Sequence, residues 1–154
     1  MSFEIEKLLD HVGLELLRLL QENARLVYSE LGKRVGLSAP GVADRVHRME
    51  DAGIITGYHA EVSPESVGLP IMAFVRIVTP QEQRLITLIQ GIREVYECHR
   101  VLGEDSLILK VRVTSVDHLE HLVDQLGSYG QTTTSLVTSS PLIRKSIEPE
   151  INQM

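Results

Sequence analysis

Between Ser29 and Met49 the apolar residues fall into two helical stripes separated by Gly36-Leu37-Ser38. Leu31 and Val35 are spaced i, i+4, and Val42, Val46 and Met49 follow i, i+4, i+7, so each set lies along one side of a helix. Gly36 supplies a residue that tolerates positive φ at a helix end. Leu37 is expected to be buried in the turn. Ser38 suits the N-cap of the following helix, and Pro40 is tolerated in its first turn. Gly53 ends that helix, and Ile54-Ile55 returns to the core. Upstream, Asp10 suits the N-cap of a helix from about His11 to Asn23, with Val12, Leu16, Leu17, Leu19 and Leu20 as its apolar face. Two short helices at a tight turn, braced by a third, make a bihelical unit whose outer face is free.

Past Gly57 the period changes. Ile71–Val78 reads as a continuous apolar strand, and Leu107, Leu109, Val111 and Val113 alternate with Ile108, Lys110 and Arg112. Val95–Leu102 and Thr132–Val137 are further strand candidates. Leu85, Leu88, Ile89 and Ile92 mark one intervening helix, and Leu119, Leu122, Val123 and Leu126 mark another. The order β-α-β-β-α-β is the ferredoxin-like split βαβ arrangement. The expected fold is therefore α+β: a helix-turn-helix domain of the winged type over residues 1–57, a connector over 58–70, and a ferredoxin-like domain with a carboxy-terminal tail over 71–154. With 4% aromatics and no Trp, both cores must be aliphatic.

The net charge of −6 argues at first sight against a nucleic-acid partner, but the charge is segregated. Residues 25–49 hold Arg25, Lys33, Arg34, Arg45 and Arg48 against Glu30 and Asp44. A basic helix beyond a tight turn points to double-stranded DNA, with the helix that begins near Ser38 lying in the major groove. The candidate DNA-binding residues are Arg25, Ser29, Lys33, Arg34, Ser38, Pro40, Gly41, Asp44, Arg45, His47 and Arg48. Ala39, Pro40 and Gly41 bring no side-chain hydrogen bonds to base edges. Direct readout then falls to Arg45 or Arg48 on guanine, to Ser38, or to Asp44 on the cytosine amino group, with DNA shape supplying much of the rest.

Other chemistries find little support. The single cysteine, Cys98, excludes an intrachain disulfide framework and a cysteine-cluster zinc site, fits a reducing compartment, and reads as packing in a half-buried strand. His118 and His121 are spaced i, i+3 near Asp117 and Asp124, a metal-capable pattern, but they lie opposite the Leu119–Leu122–Leu126 face and read as solvated; no metal and no cofactor is expected. The hydroxyl-rich run from Thr132 to Ser140 has no partner histidine, and no acid, base and nucleophile converge in sequence, so no enzyme is expected. The amino-terminal residues lack a signal-peptide pattern, and no stretch is long and apolar enough to span a membrane, so a cytoplasmic location is expected.

Leu9-Asp10, Leu31, Val35-Gly36-Leu37-Ser38, Val42, Arg45-Val46, Met49-Glu50 and Gly53-Ile54-Ile55-Thr56-Gly57-Tyr58 form a pattern that continues through Val62-Ser63-Pro64, Gly68, Ala73–Ile77, Val95-Tyr96-Glu97-Cys98 and Gly103-Glu104-Asp105. In this order and spacing the chain resembles the Lrp/AsnC (feast/famine) transcription regulators over almost its whole length. The resemblance implies a dimer built through the second (RAM-type) domain, assembling into tetramers or octamers, and a small effector, commonly an amino acid, bound by that domain at contacts between dimers. It implies effector-binding roles for Gly103, Glu104 and Asp105, which join two strands, and for Thr132 and Thr134 on the last strand. Ser106 stands where the Gly-x-x-Asp motif usually has its Asp, with Asp105 one place earlier. Gly13 stands where a second acidic residue is usual. Gly32 replaces the usual Ala, at about 1 kcal/mol of helix propensity. An architectural DNA-binding protein without small-molecule input is the alternative that the same basic helix would serve.

Overall fold

The computed structural model describes residues 3–149. The chain divides between Ala60 and Glu61 and again between Pro141 and Leu142: the segments before and after form one unit, and Glu61–Pro141 forms the other. The sequence pattern attaches the tail to the second domain; by its contacts it belongs with the first. There the amide of Gln21 grips one residue of the tail, donating to the Ile147 carbonyl at 3.0 Å and accepting from its N–H at 2.8 Å.

The first unit holds α1 (Phe3–Leu8), α2 (His11–Glu22), α3 (Tyr28–Val35) and α4 (Ala39–Asp51). Asp10 caps α2 by accepting from the Gly13 N–H at 2.9 Å. Gly36 sits at φ 73° and ends α3, and the Ser38 hydroxyl accepts from the Gly41 N–H at 3.2 Å to start α4. Leu16, Leu19, Leu20, Leu31, Val42 and Val46 form one core cluster, while Leu8, Leu9, Leu17 and Met49 form a second beneath α1. Helix α1 lies outside the elements expected from sequence. Its carboxy-terminal end explains Gly13: a Cβ there would stand 1.8 Å from the Leu8 carbonyl oxygen. Gly32 has the same reason, since its Cβ would lie 2.4 Å from the Leu37 carbonyl oxygen. The turn's main chain thus packs on Gly32, and the Leu37 side chain, expected to be buried, is instead 37% exposed. Residues 54–60, which follow α4, carry no strand.

The second unit begins with a 3-10 turn, Glu65–Val67, and continues as β1 (Ile71–Val78), α5 (Glu82–Ile89), β2 (Val95–Arg100), β3 (Leu107–Val113), α6 (Val116–Gly127) and β4 (Gln131–Leu136). The sheet order is β2-β3-β1-β4, every neighbouring pair antiparallel, which is the split βαβ topology. Ala73, Val75 and Ile77 of β1 and Leu107, Leu109, Val111 and Val113 of β3 are fully buried against Leu85 and Ile89 of α5 and Leu119, Leu122 and Leu126 of α6. Because side chains alternate, the opposite face carries Met72, Phe74, Arg76 and Val78 of β1 with Ile108, Lys110 and Arg112 of β3. No helix of this unit covers it. Phe74, Val78 and Tyr96 are among its exposed large side chains. β2 is shorter than the sequence pattern suggests; beyond Arg100 the chain turns, and Val101 N–H closes the hairpin onto the Ser106 carbonyl at 3.2 Å.

Candidate nucleic-acid interface and effector loop

The Val42–Val46–Met49 stripe of α4 is completely buried, which fixes the rest of the helix by its 100° step. Pro40, Asp44, His47 and Arg48 face outward and are exposed; Gly41 and Ala43 lie at intermediate depth. The eleven candidate residues fall into two sets. Arg25, Lys33 and Arg48 are exposed, and among the described residues their charged groups have no hydrogen-bond or ion-pair partner. Asp44 and Ser29 are likewise exposed and without a partner among the described residues, and Pro40 is exposed with no polar side chain. Arg34, Ser38, Gly41, Arg45 and His47 are engaged. Arg34 donates to Glu30 at 2.9 Å across one helical turn, and Ser38 is occupied as a cap.

Arg45, a candidate base reader by sequence, lies on the flank of α4, 23% exposed, with its guanidinium forked onto both carboxylate oxygens of Asp10. The Nη2–Oδ2 distance is 2.8 Å. Hydrogen bonding from Arg45 holds the Asp10 carboxyl below its ordinary pKa, helped by the Gly13 N–H. On the other flank, Glu50 takes the Tyr58 hydroxyl at 2.8 Å and stands 3.1 Å from His47 Nδ1. Burial first, and Glu50 second, push the Tyr58 hydroxyl up to about 12.

In the second unit the structure brings Gly103, Glu104 and Asp105 to the end of the sheet where Ile77 pairs with Leu107 on one side and Thr132 on the other. Gly103 and Glu104 are exposed. Asp105 is half-buried, its carboxylate 3.8 Å from the Arg76 guanidinium. Arg76 lies on the uncovered face, across from Thr133. Thr132 and Thr134 pair with Ile77 and Val75 and so share the helix-side face. Within one chain the Asp105 carboxylate and the two threonine hydroxyls are therefore not gathered on one face. Arg76 is absent from the sequence-derived candidates, although a cation inside an otherwise apolar strand is a signal available there. Ser106 is structural: its hydroxyl accepts from the Thr79 N–H at 3.1 Å, and its N–H donates to the Ile77 carbonyl at 2.8 Å. A groove of about 460 Å³ runs along the free edge of β2 beside α5, lined by Ile86, Ile89, Val95, Cys98 and Arg100 among others.

Two further expectations change. His118 is not simply solvated: it is half-buried, with Nε2 3.2 Å from Glu94 and Nδ1 3.0 Å from the Thr114 hydroxyl. Cys98 is exposed rather than half-buried, because β2 is an edge strand, although partial burial and the Glu82 charge still push its thiol pKa up. Among the described residues no group of three or more His, Cys, Asp or Glu could hold a metal ion, and no helix is long and apolar enough to cross a membrane.

A helix-turn-helix unit followed by a split-βαβ sheet domain defines a DNA-binding regulator with a separate sensory module. Residues 9–50 match the AsnC-type helix-turn-helix domain, and residues 72–147 match the Lrp/AsnC ligand binding domain. The chain is 39% identical over 139 residues to the HTH-type transcriptional regulator LrpA of Mycobacterium tuberculosis, covering 88% of this chain and 89% of that protein. It superposes on a feast or famine regulatory protein of M. tuberculosis complexed with L-methionine with a TM-score of 0.84 at 33% identity, covering 92% of this chain and 99% of the other. A transcriptional regulator of Neisseria meningitidis in complex with L-methionine gives a TM-score of 0.82 at 31% identity, with 94% and 97% covered. The chain belongs to the Lrp/AsnC family of transcriptional regulators.

Proposed function

We propose that this chain is a sequence-specific transcriptional regulator that acts as a homo-oligomer and whose operator occupancy responds to a free amino acid. The observation that carries the DNA half is the set of charged groups without a partner among the described residues, Arg25, Lys33 and Arg48, around an outward helix whose apolar side is fully buried. Cations already paired to carboxylates release few counterions on meeting phosphate; free ones release many. Assembly is supported by the sheet face that no helix of its unit covers, where Phe74, Val78 and Tyr96 are exposed, since a patch of this kind is normally covered by a partner. A second copy closing that face gives two reading helices related by a two-fold axis.

The relatives solved with L-methionine support an amino-acid effector. A zwitterion needs an acceptor for its ammonium and donors for its carboxylate. In one chain Asp105 and Thr132 or Thr134 stand at the same end of the sheet but on different faces. A site using all of them would need groups from a second subunit, which would make occupancy and assembly one equilibrium. The Asp105–Arg76 contact also favours a second reading, an architectural protein with no effector, because the acid already has a cation beside it. Selection of bound genomic fragments with and without a panel of free amino acids decides between them. An effector-responsive regulator changes its occupancy with at least one amino acid, and Asp105→Ala abolishes that response while leaving effector-free DNA binding within a few-fold. No response to any member of the panel supports the architectural reading, and loss of effector-free binding by Asp105→Ala makes the loop structural.

A further inference from the structure

We propose that the side chains of α4 divide into two roles, with Arg45 positioning the helix and Asp44 and Arg48 reading the bases. This rests on the regulator reading above and assigns the side chains that meet base edges. The same Asp10 carboxylate that caps α2 through the Gly13 N–H also takes the fork of Arg45. One acid therefore fixes the start of α2 and the flank of α4 together. Guanine is recognised by two parallel donors aimed at O6 and N7, the same fork geometry that a carboxylate occupies. Arg45 offers that fork to Asp10, across 35 residues of sequence.

Asp44 and Arg48 are placed otherwise. Both are exposed, neither has a hydrogen-bond or ion-pair partner among the described residues, and both project away from the Val42–Val46–Met49 stripe. Arg48 has a free fork for guanine, and Asp44, an acceptor only, fits the cytosine amino group. Four residues of helix rise about 6 Å, which spans about two base-pair steps. The ligand is thus duplex DNA carrying a G and a C contact about two steps apart in each half-site. His47 and Glu50 take no part in reading: Glu50 holds His47 and Tyr58 on the opposite flank.

The test is quantitative selection from randomised duplexes by the full chain and by Asp10→Asn, Arg45→Ala, Arg45→Lys, Asp44→Ala and Arg48→Ala, with thermal unfolding measured alongside. Asp10→Asn is the informative variant. It keeps a cap oxygen but removes a negative charge and frees Arg45, so if Arg45 meets DNA the affinity rises. Positioning requires the opposite: affinity falls about five-fold or more, evenly on all sequences, with base preferences unchanged. Arg45→Ala behaves likewise, Asp10→Asn and Arg45→Ala combined bind no worse than the more weakly binding of the two alone, and Arg45→Lys, which keeps the charge for Asp10, recovers part of the loss. Arg48→Ala flattens one G·C preference by about 5- to 150-fold, and Asp44→Ala flattens a second about two steps away. Tighter binding by Asp10→Asn, a base preference lost in Arg45→Ala, or every preference surviving in Arg48→Ala overturns the assignment. Failure of the unaltered chain to enrich any sequence overturns the regulator reading itself, and this assignment with it.

Discussion

Salt dependence measures how many cations face the phosphates, and the tied and untied sets give different numbers. With Arg48 on a base edge, the untied Arg25 and Lys33 present four charges to the phosphates in a two-fold dimer, whereas counting Arg34 and Arg45 as well would give eight. At about 0.9 per neutralised phosphate, four charges give a log–log slope of about −4 and a loss of affinity of about 10² between 50 and 200 mM salt. Eight charges give a slope of about −7 and a loss of about 10⁴. Fluorescence anisotropy on one labelled operator across a salt series reads the slope directly. Lys33→Ala removes one untied charge from each protomer, so the slope becomes shallower by about 2. Arg34→Ala removes a charge already neutralised by Glu30 and changes the slope much less. A slope of about −7 in the unaltered chain, or equal flattening by Arg34→Ala and Lys33→Ala, refutes the partition.

Gly13→Ala sets a Cβ 1.8 Å from the Leu8 carbonyl oxygen, which must displace α1 from Met49; urea unfolding should show a loss of about 1–3 kcal/mol, and unchanged stability would contradict this packing. Acid should weaken the fold through Asp10 and Glu97. Hydrogen bonds from Arg45 and Lys110 hold these carboxyls below their ordinary values of 3.8 and 4.5. Their contribution is complete above those values and is lost as the pH falls through the lower folded-state ones, so Glu97→Gln should flatten part of the acid limb of a stability–pH curve and leave its alkaline side little changed. Phe74→Asp places a charge on the uncovered sheet face and should shift the assembly to monomer by light scattering with helix content intact; an unchanged particle mass would show that this face is not the interface.

The elements declare themselves in the sequence where a local rule sets them. Asp10 and Ser38 cap by bonding three residues ahead, Gly36 turns because of its own φ, and the buried stripes of α4 and β3 follow the periods of 3.6 and 2. What escapes the sequence depends on which segment packs against which, whether a turn away or far along the chain. Arg45 is a plausible reader until Asp10 is found beside it, and Gly13 and Gly32 look like weak helix residues until the Leu8 and Leu37 carbonyls are seen against them. The tail finds Gln21 across 126 residues, and no periodicity announces that. The effector loop is visible as an acidic hairpin. Arg76, whose guanidinium stands beside Asp105, sits three elements earlier in β1.

The central claim is that two copies of α4, held by a two-fold assembly, read a duplex. The most direct measurement is footprinting of the full chain on the sequence it enriches most, combined with the mass of the bound particle. The account predicts two protected, inverted half-sites with centres about 10 base pairs apart, or a multiple of that, on a particle containing an even number of chains. One protected half-site without symmetry, bound at full affinity by a single chain, would contradict it.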